Sequence, residues 1–307
     1  MTNARGRGGF TIVGLLSSLV IGLVLVAASL SFAISTFQGA EGNKVREEVY
    51  RNARFVGMSL QRDVQTAGVG IESEVEYGTL STFNDTLVVL SVPWQPTLAH
   101  AYQVVPPAGV NNPLAAGGTC GATCIDLAYK PGGGFDLAAG DLARLQVNSE
   151  RRLLLITSVT DIGTRFRINF LAGTTILHNE AAFAGGLQLD RFQSSVQELR
   201  AIVYYRTGNT LFRSQSFTTA GALQPSPMAY GVLAWDAWLI FTDLSEGVAA
   251  DPFDANVNND FDDMLGVRIA ARLAANRADL RVNDGGLFSN DYEWQIMPRN
   301  LMYERNR

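Results

Sequence analysis

Three features of the chain predict an α+β fold with a membrane anchor. No charged residue lies between Arg7 and Glu41, so the apolar run Phe10 to Phe37 is uncharged throughout. An amphipathic stretch with helical spacing follows it. From Thr86 onward the period changes to that of strands. The implied organisation is a short basic segment over residues 1–9, one long helix over 10–67 with 10–37 crossing a membrane, and a β-rich globular domain over 68–307.

Residues 10–37 are dominated by Ile, Val, Leu and Ala. A bilayer core about 30 Å thick needs about 20 apolar helical residues, so the run spans with margin. Gly14, Ser17, Ser18 and Gly22 are small and lie in its first half, where they allow another helix to approach closely. Gln38 to Asn43 contains Gly39 and Gly42 and is expected to loosen the helix, because glycine costs about 1 kcal/mol against alanine. Helical spacing then resumes. Val45, Val49, Ala53, Val56, Leu60, Val64 and Ala67 form one apolar stripe, and the charged residues fall largely off it. Gly68 and Gly70 end the helix. The stripe reads as core packing against the domain that follows.

Strands are expected at Thr86–Val92, Leu142–Val147, Leu153–Val159 and Arg165–Leu171. In the last, Arg165, Arg167 and Asn169 alternate with Phe166, Ile168 and Phe170, the pattern of a half-buried strand. Ala201–Arg206 and Thr210–Ser216 flank Gly208-Asn209, a two-residue hairpin turn. Leu233–Thr242 is a further strand carrying Trp235, Trp238 and Phe241, read as core and rim aromatics. Leu265–Ala275 suits either strand or helix. Trp94–Gly140 is rich in Pro and Gly, has few periodic runs and reads as a long surface loop.

The net charge is −5, and loss of Arg5 and Arg7 with residues 1–9 would take it to −7. A net acidic domain does not advertise nucleic-acid binding, which usually needs a basic face, although a local basic patch is compatible with that balance. No nucleophile elbow, P-loop or His-Glu-x-x-His motif occurs, so neither an enzyme nor a cofactor is expected. His100 and His178 are isolated and read as surface or hydrogen-bonded residues. Cys120 and Cys124 stand four apart and read as a small loop disulfide, because the domain beyond the membrane should lie in an oxidising space. A metal site is the alternative, but two thiols are too few for a closed zinc site. Asp254, Asn256 and Asn258 are spaced like the opening ligands of a calcium loop. The twelfth position of such a loop is Leu265 instead of a bidentate glutamate, and Asn259 replaces the turn glycine. A solvated acidic loop is therefore the first reading, a calcium site the alternative.

Three readings of the N-terminal stretch compete. One is a plain anchor with Arg5 and Arg7 held on the cytoplasmic side. Another is a secretory signal cut after Ala33, although its apolar core exceeds the usual 7–15 residues or so. The third starts from Gly8-Gly9-Phe10-Thr11-Ile12 after a basic leader, which resembles the type IV pilin signature. That resemblance implies cleavage by a prepilin peptidase between Gly9 and Phe10 and methylation of Phe10. Family members usually carry glutamate fifth in the mature chain, thought to pair with a neighbour's N-terminal amine. Here that place is Gly14, a departure that puts ordinary packing along the filament shaft in question. Leu60-Gln61-Arg62-Asp63 through Ala67-Gly68 resembles the helix end of the PilW-type minor pilins and, more loosely, of the J-type pseudopilin of type II secretion. Gly140-Asp141-Leu142, Tyr204-Tyr205-Arg206, Leu211-Phe212-Arg213, Asp262 to Ile269 and Arg299-Asn300-Leu301 resemble later pieces of that family in order.

The resemblance implies a pilin fold and a minor pilin-like subunit that primes or caps type IV pilus assembly. It would sit as a single pass in the inner membrane with its domain in the periplasm, then enter the pilus at the cell surface. Its partners would be other major and minor pilins and the inner-membrane assembly machinery. The rival functions are a tip subunit binding DNA or a surface through Trp94–Gly140, and a J-type pseudopilin.

Overall fold

In the computed structural model the described residues are 11–71, 78–83, 85–93, 101–105, 112–113, 123–129, 134–147, 150–172, 188–189, 194–248, 259, 261, 263–278, 286–299 and 301. One long apolar N-terminal helix and a large antiparallel β domain give the chain its α+β layout. Two compact units are distinguished: Met1–Arg51 with Ala275–Phe288, and Asn52–Ala274 with Ser289–Arg307.

Helix α1 runs unbroken over Ile12–Val64. At 1.5 Å per residue it is about 80 Å long. Thr11 caps it: its side-chain oxygen accepts from the Gly14 amide at 3.3 Å, as an N-cap threonine does for the third helical residue. The expected loosening at Gly39 and Gly42 does not occur. About 1 kcal/mol per glycine is too little to open a helix whose flanking turns are continuous. All seven residues of the predicted stripe are buried. In the first unit, Asn276 Nδ2 donates to Glu48 Oε1 at 2.8 Å, and the Arg46 guanidinium lies over the Phe288 ring.

The second unit holds the strands. β1 (Leu80–Phe83) and β2 (Thr86–Ser91) form a hairpin. β3 (Ala101–Gln103), β4 (Asn112–Pro113) and β5 (Cys124–Leu127) follow. β6 (Leu142–Val147), β7 (Glu150–Asp161) and β8 (Phe166–Ala172) make a meander. Among the described residues β4 pairs with the short β9 (Gln188–Leu189) alone. β10 (Ser194–Thr207) then joins the earlier strands. Its first half pairs with β6 and β3, its second with β2 and with β11 (Thr210–Phe217). β12 (Leu223–Tyr230) closes that end of a ten-stranded sheet. A second, four-stranded sheet has the order β14 (Glu246–Gly247), β13 (Val232–Phe241), β15 (Met264–Ala274), β16 (Ser289–Ile296).

Alternation along β10 explains how one sheet serves two cores. Leu199, Ala201 and Val203 pack with Val88, Leu90, Leu142, Leu153 and Leu155. Ile202 and Tyr204 point to the opposite face, beside Val89 and Leu87 of β2. A separate core lies among β5 to β8, built on Leu145, Leu154, Ile156, Ile168 and Phe170.

Two sequence expectations change. Leu265–Ala275, left between strand and helix, is strand β15; Val267, Ile269, Ala271 and Leu273 are buried on one face. Trp94–Gly140 is not a surface loop throughout. Tyr102, Val104, Ile125, Leu127 and Leu137 are all core residues. The strands that carry Tyr102, Ile125 and Leu127 are three or four residues long, too short for a period to register in the sequence.

Candidate functional site

The apolar half of α1 is exposed around its whole circumference, with residues such as Leu16, Ile21, Val26 and Phe32 all more than half exposed. It is long and apolar enough to cross a membrane. Its polar atoms are turned inward: the hydroxyls of Ser17, Ser29 and Thr36 donate to the carbonyls of Val13, Leu25 and Phe32 at 2.6, 2.8 and 2.9 Å. Such bonds let hydroxyls sit in an apolar medium without an unsatisfied donor. Gly14 lies in the first turn. A Cβ added there would meet only the Thr11 hydroxyl oxygen, at 3.5 Å. Among the described residues there is therefore room for a side chain at Gly14.

At its other end α1 is fixed to the sheet by a buried ionic cluster. The Asp63 side chain is 5% exposed. Its Oδ2 accepts from Tyr204 Oη at 2.5 Å and from Arg213 Nε at 2.6 Å, and its Oδ1 accepts from Arg62 Nε at 3.0 Å. Arg213 Nε also reaches Tyr204 Oη at 3.2 Å. Tyr204 and Arg213 meet because they are directly paired across the β10–β11 hairpin. That register is set by the two-residue turn, with Thr207 opposite Thr210. Gly208 adopts φ +59°, which suits the first central position of a II′ turn.

Burial alone would raise the Asp63 carboxyl, but the bonds from Arg213, Tyr204 and Arg62 outweigh it and hold the group below its ordinary value. Burial, reinforced by the bond to Asp63, pushes the Tyr204 phenol well above its usual range. Desolvation opposes the charge on Arg213, and its bonds to Asp63 and Tyr204 more than restore it. The cluster is thus an ionised pair with a neutral phenol. It holds the helix end in one register and carries no group poised to transfer a proton near neutral pH.

One turn and a half earlier, α1 meets the second sheet. A Cβ at Gly57 would lie 2.5 Å from Trp294 Nε1, so only glycine lets the indole of β16 rest on the helix backbone. Gly57 was not singled out by sequence. The signal available was a glycine in a strongly helical stretch that continues unbroken, which often marks a close packing approach.

Of the residues singled out from sequence, Gly9, Phe10, Cys120, Asp254, Asn256, Asn258, His100 and His178 lie outside the described residues. Cys124 opens β5 and is buried. Asn259 has φ +72°, and its amide approaches Asp263 Oδ2 at 3.4 Å. Among the described residues no three His, Cys, Asp or Glu side chains gather as a metal site. Trp235 and Phe241 are core residues, and Trp238 lies under the Arg268 guanidinium at 4.1 Å. Within the 94–140 region Asp126 is buried and accepts from Arg167 at 2.8 and 3.1 Å.

Comparison with protein-family models, with curated proteins and with solved structures gives no match.

Proposed function

We propose that this chain is a minor pilin-like structural subunit that primes or caps a type IV pilus. The observation that carries the reading is the uncharged half-helix Ile12–Phe37, exposed on every side. Such a surface needs lipid or the apolar helices of neighbours around it. A subunit of this kind meets both in turn: it waits in the inner membrane as a single pass, and on extraction the same helix becomes part of a filament core. The arginine-bearing leader and the Gly9-Phe10 junction agree with processing by a prepilin peptidase. The domain, with a pilin fold, then lies in the periplasm, where Cys120 and Cys124 oxidise to a short loop disulfide. Free-thiol labelling of the non-reduced, denatured chain checks that bond; two reactive thiols would refute it.

Gly14 supports a position at a filament end. Along a shaft, a neighbour's N-terminal amine would be buried opposite Gly14 with no carboxylate. Stranding one charge of a buried pair costs about 3–5 kcal/mol. An end subunit is faced from one side only and escapes that cost. Because there is room for a side chain at Gly14 among the described residues, Gly14→Glu tests the packing without disturbing the domain. About one copy per filament is expected in the unmodified protein, by the same buried-charge argument.

Mass spectrometry of the membrane-extracted protein is the direct test. A mature N-terminus at Phe10, methylated, is expected. A chain beginning at Ile34 would make this a secreted protein and end the pilin reading.

A further inference from the structure

In the middle of β6 the fold encloses a cation. Arg144 is 6% exposed. Its Nη2 donates to the side-chain oxygen of Gln197, directly opposite on β10. Its Nε and Nη1 are buried and, among the described residues, meet no acceptor. A guanidinium presents five N–H groups and keeps its charge in proteins. Enclosing such a group is strongly unfavourable unless an anion and hydrogen bonds match it. A buried donor of this kind therefore calls for a partner.

The ladder register shows what surrounds Arg144. Leu153 of β7 is its other direct partner, and every second residue of a strand returns to the same face. Followed across β3, β6, β10 and Arg151–Leu155 of β7, that face carries no Asp or Glu. Glu198 is opposite Ala143 and falls on the other face. On one side of Arg144 the face is core, where Leu142, Leu153, Leu155 and Leu199 pack together. On the other side it turns polar. Gln146 and Ser195, paired one ladder step further out, are both partly exposed, whereas Arg144 and Gln197 are buried. The polar side is the way in from solvent.

We propose that Arg144 binds a small oxyanion, a phosphate or a carboxylate, which enters past Gln146 and Ser195. The shared chemistry is two or more oxygens bearing a negative charge, which a planar guanidinium matches with charge-assisted bonds. Arg144 supplies the charge, and the Gln146 amide and the Ser195 hydroxyl are further donors on the same face. The leucines on the core side limit the ligand to a group of a few atoms. The whole chain has a net charge of −5, so its overall field does not draw anions in. Selection rests on the guanidinium itself. The site is independent of the identity of the assembly and stands or falls separately from it.

The test uses the full chain in nanodiscs of neutral lipid. Inorganic phosphate and acetate are the two probes, titrated separately at constant ionic strength in sodium chloride. The Tm followed by tryptophan fluorescence should rise saturably with at least one of them, by about 5 °C at a hundredfold excess over its Kd. A response to phosphate alone assigns a tetrahedral oxyanion, and a response to acetate alone a carboxylate. Arg144→Met should abolish the shift. Arg144→Lys keeps the charge but loses the planar fork, and should bind the probe about tenfold more weakly. The absence of a saturable shift with either probe, or the same shift in Arg144→Met, would overturn the proposal. If Arg144→Met does not fold, Arg144→Lys carries the comparison, and affinity equal to that of the unmodified chain overturns it.

Discussion

Between Ile12 and Phe37 the helix is bare on every side, whereas between Ala53 and Val64 the stripe residues Ala53, Val56, Leu60 and Val64 are buried to within a few per cent. Both stretches are continuous α-helix. They differ in what specifies them. The first half answers to a medium: any set of apolar residues with satisfied hydroxyls would serve, so no single position is dictated from within the chain. The second half answers to one particular surface. There, Gly57 must be small because Trp294 lies on it, and Asp63 must be acidic because Arg213 and Tyr204 converge on it. Single substitutions should therefore be costly in the second half and mild in the first.

The largest effect is expected at Asp63. Asp63→Ala leaves the Arg213 charge buried without its carboxylate and should cost about 3–5 kcal/mol, read by denaturant unfolding. Pairing Asp63→Leu with Arg213→Met should recover most of it, because apolar replacement of both ions removes the stranded charge. A single variant that unfolds at the wild-type midpoint would show that this end of the helix is no more dictated than the other.

The same cluster fixes a pH window. The Asp63 carboxyl is held below the ordinary aspartate value, so its contribution is present above about pH 4 and is lost as the pH falls further. The Tyr204 phenol is raised above the ordinary tyrosine value, so its contribution is fully present below about pH 10 and is lost as the pH climbs through the raised value. Stability followed by tryptophan fluorescence should fall off at both ends. Asp63→Asn should flatten the acid limb and Tyr204→Phe the alkaline one; an unchanged acid limb in Asp63→Asn would assign it to other carboxylates.

Gly57→Leu forces an isobutyl group into the Trp294 ring. Overpacking of this sort costs about 1–3 kcal/mol, and a shift in tryptophan emission should accompany it. Trp294→Ala in the same chain should relieve the clash. The smallest effect is expected in the bare half. Thr11→Ala removes the cap and costs about 1 kcal/mol locally, seen as faster amide exchange at residues 12–14 with unchanged unfolding of the domain.

Much of the scaffold was legible because it rests on period and turn chemistry. The stripe from Val45 to Ala67 is wholly buried, and Leu142–Val147 has the bounds its pattern gives. The Asp63 cluster was within reach too. Gly208-Asn209 as a two-residue turn places Thr207 opposite Thr210, and counting back three steps sets Tyr204 opposite Arg213. What the turn could not supply is the partner, since nothing local says that Asp63, some 140 positions earlier, comes to that face. The strands within 94–140 were missed for a different reason: four residues hold at most two alternations, too few to distinguish from chance.

The fourteen residues of β10 impose an order on the formation of the molecule. This strand draws ladder bonds from β2, β3, β6 and β11, and its partner β2 is on the order of a hundred residues earlier. A chain synthesised from its N-terminus has β2 and β6 outside the ribosome well before β10 arrives. Through that interval their open edges offer themselves to any other nascent strand. Closure of the ten-stranded sheet is thus a late, long-range event, and the interval before it is when the chain is most exposed to mispairing.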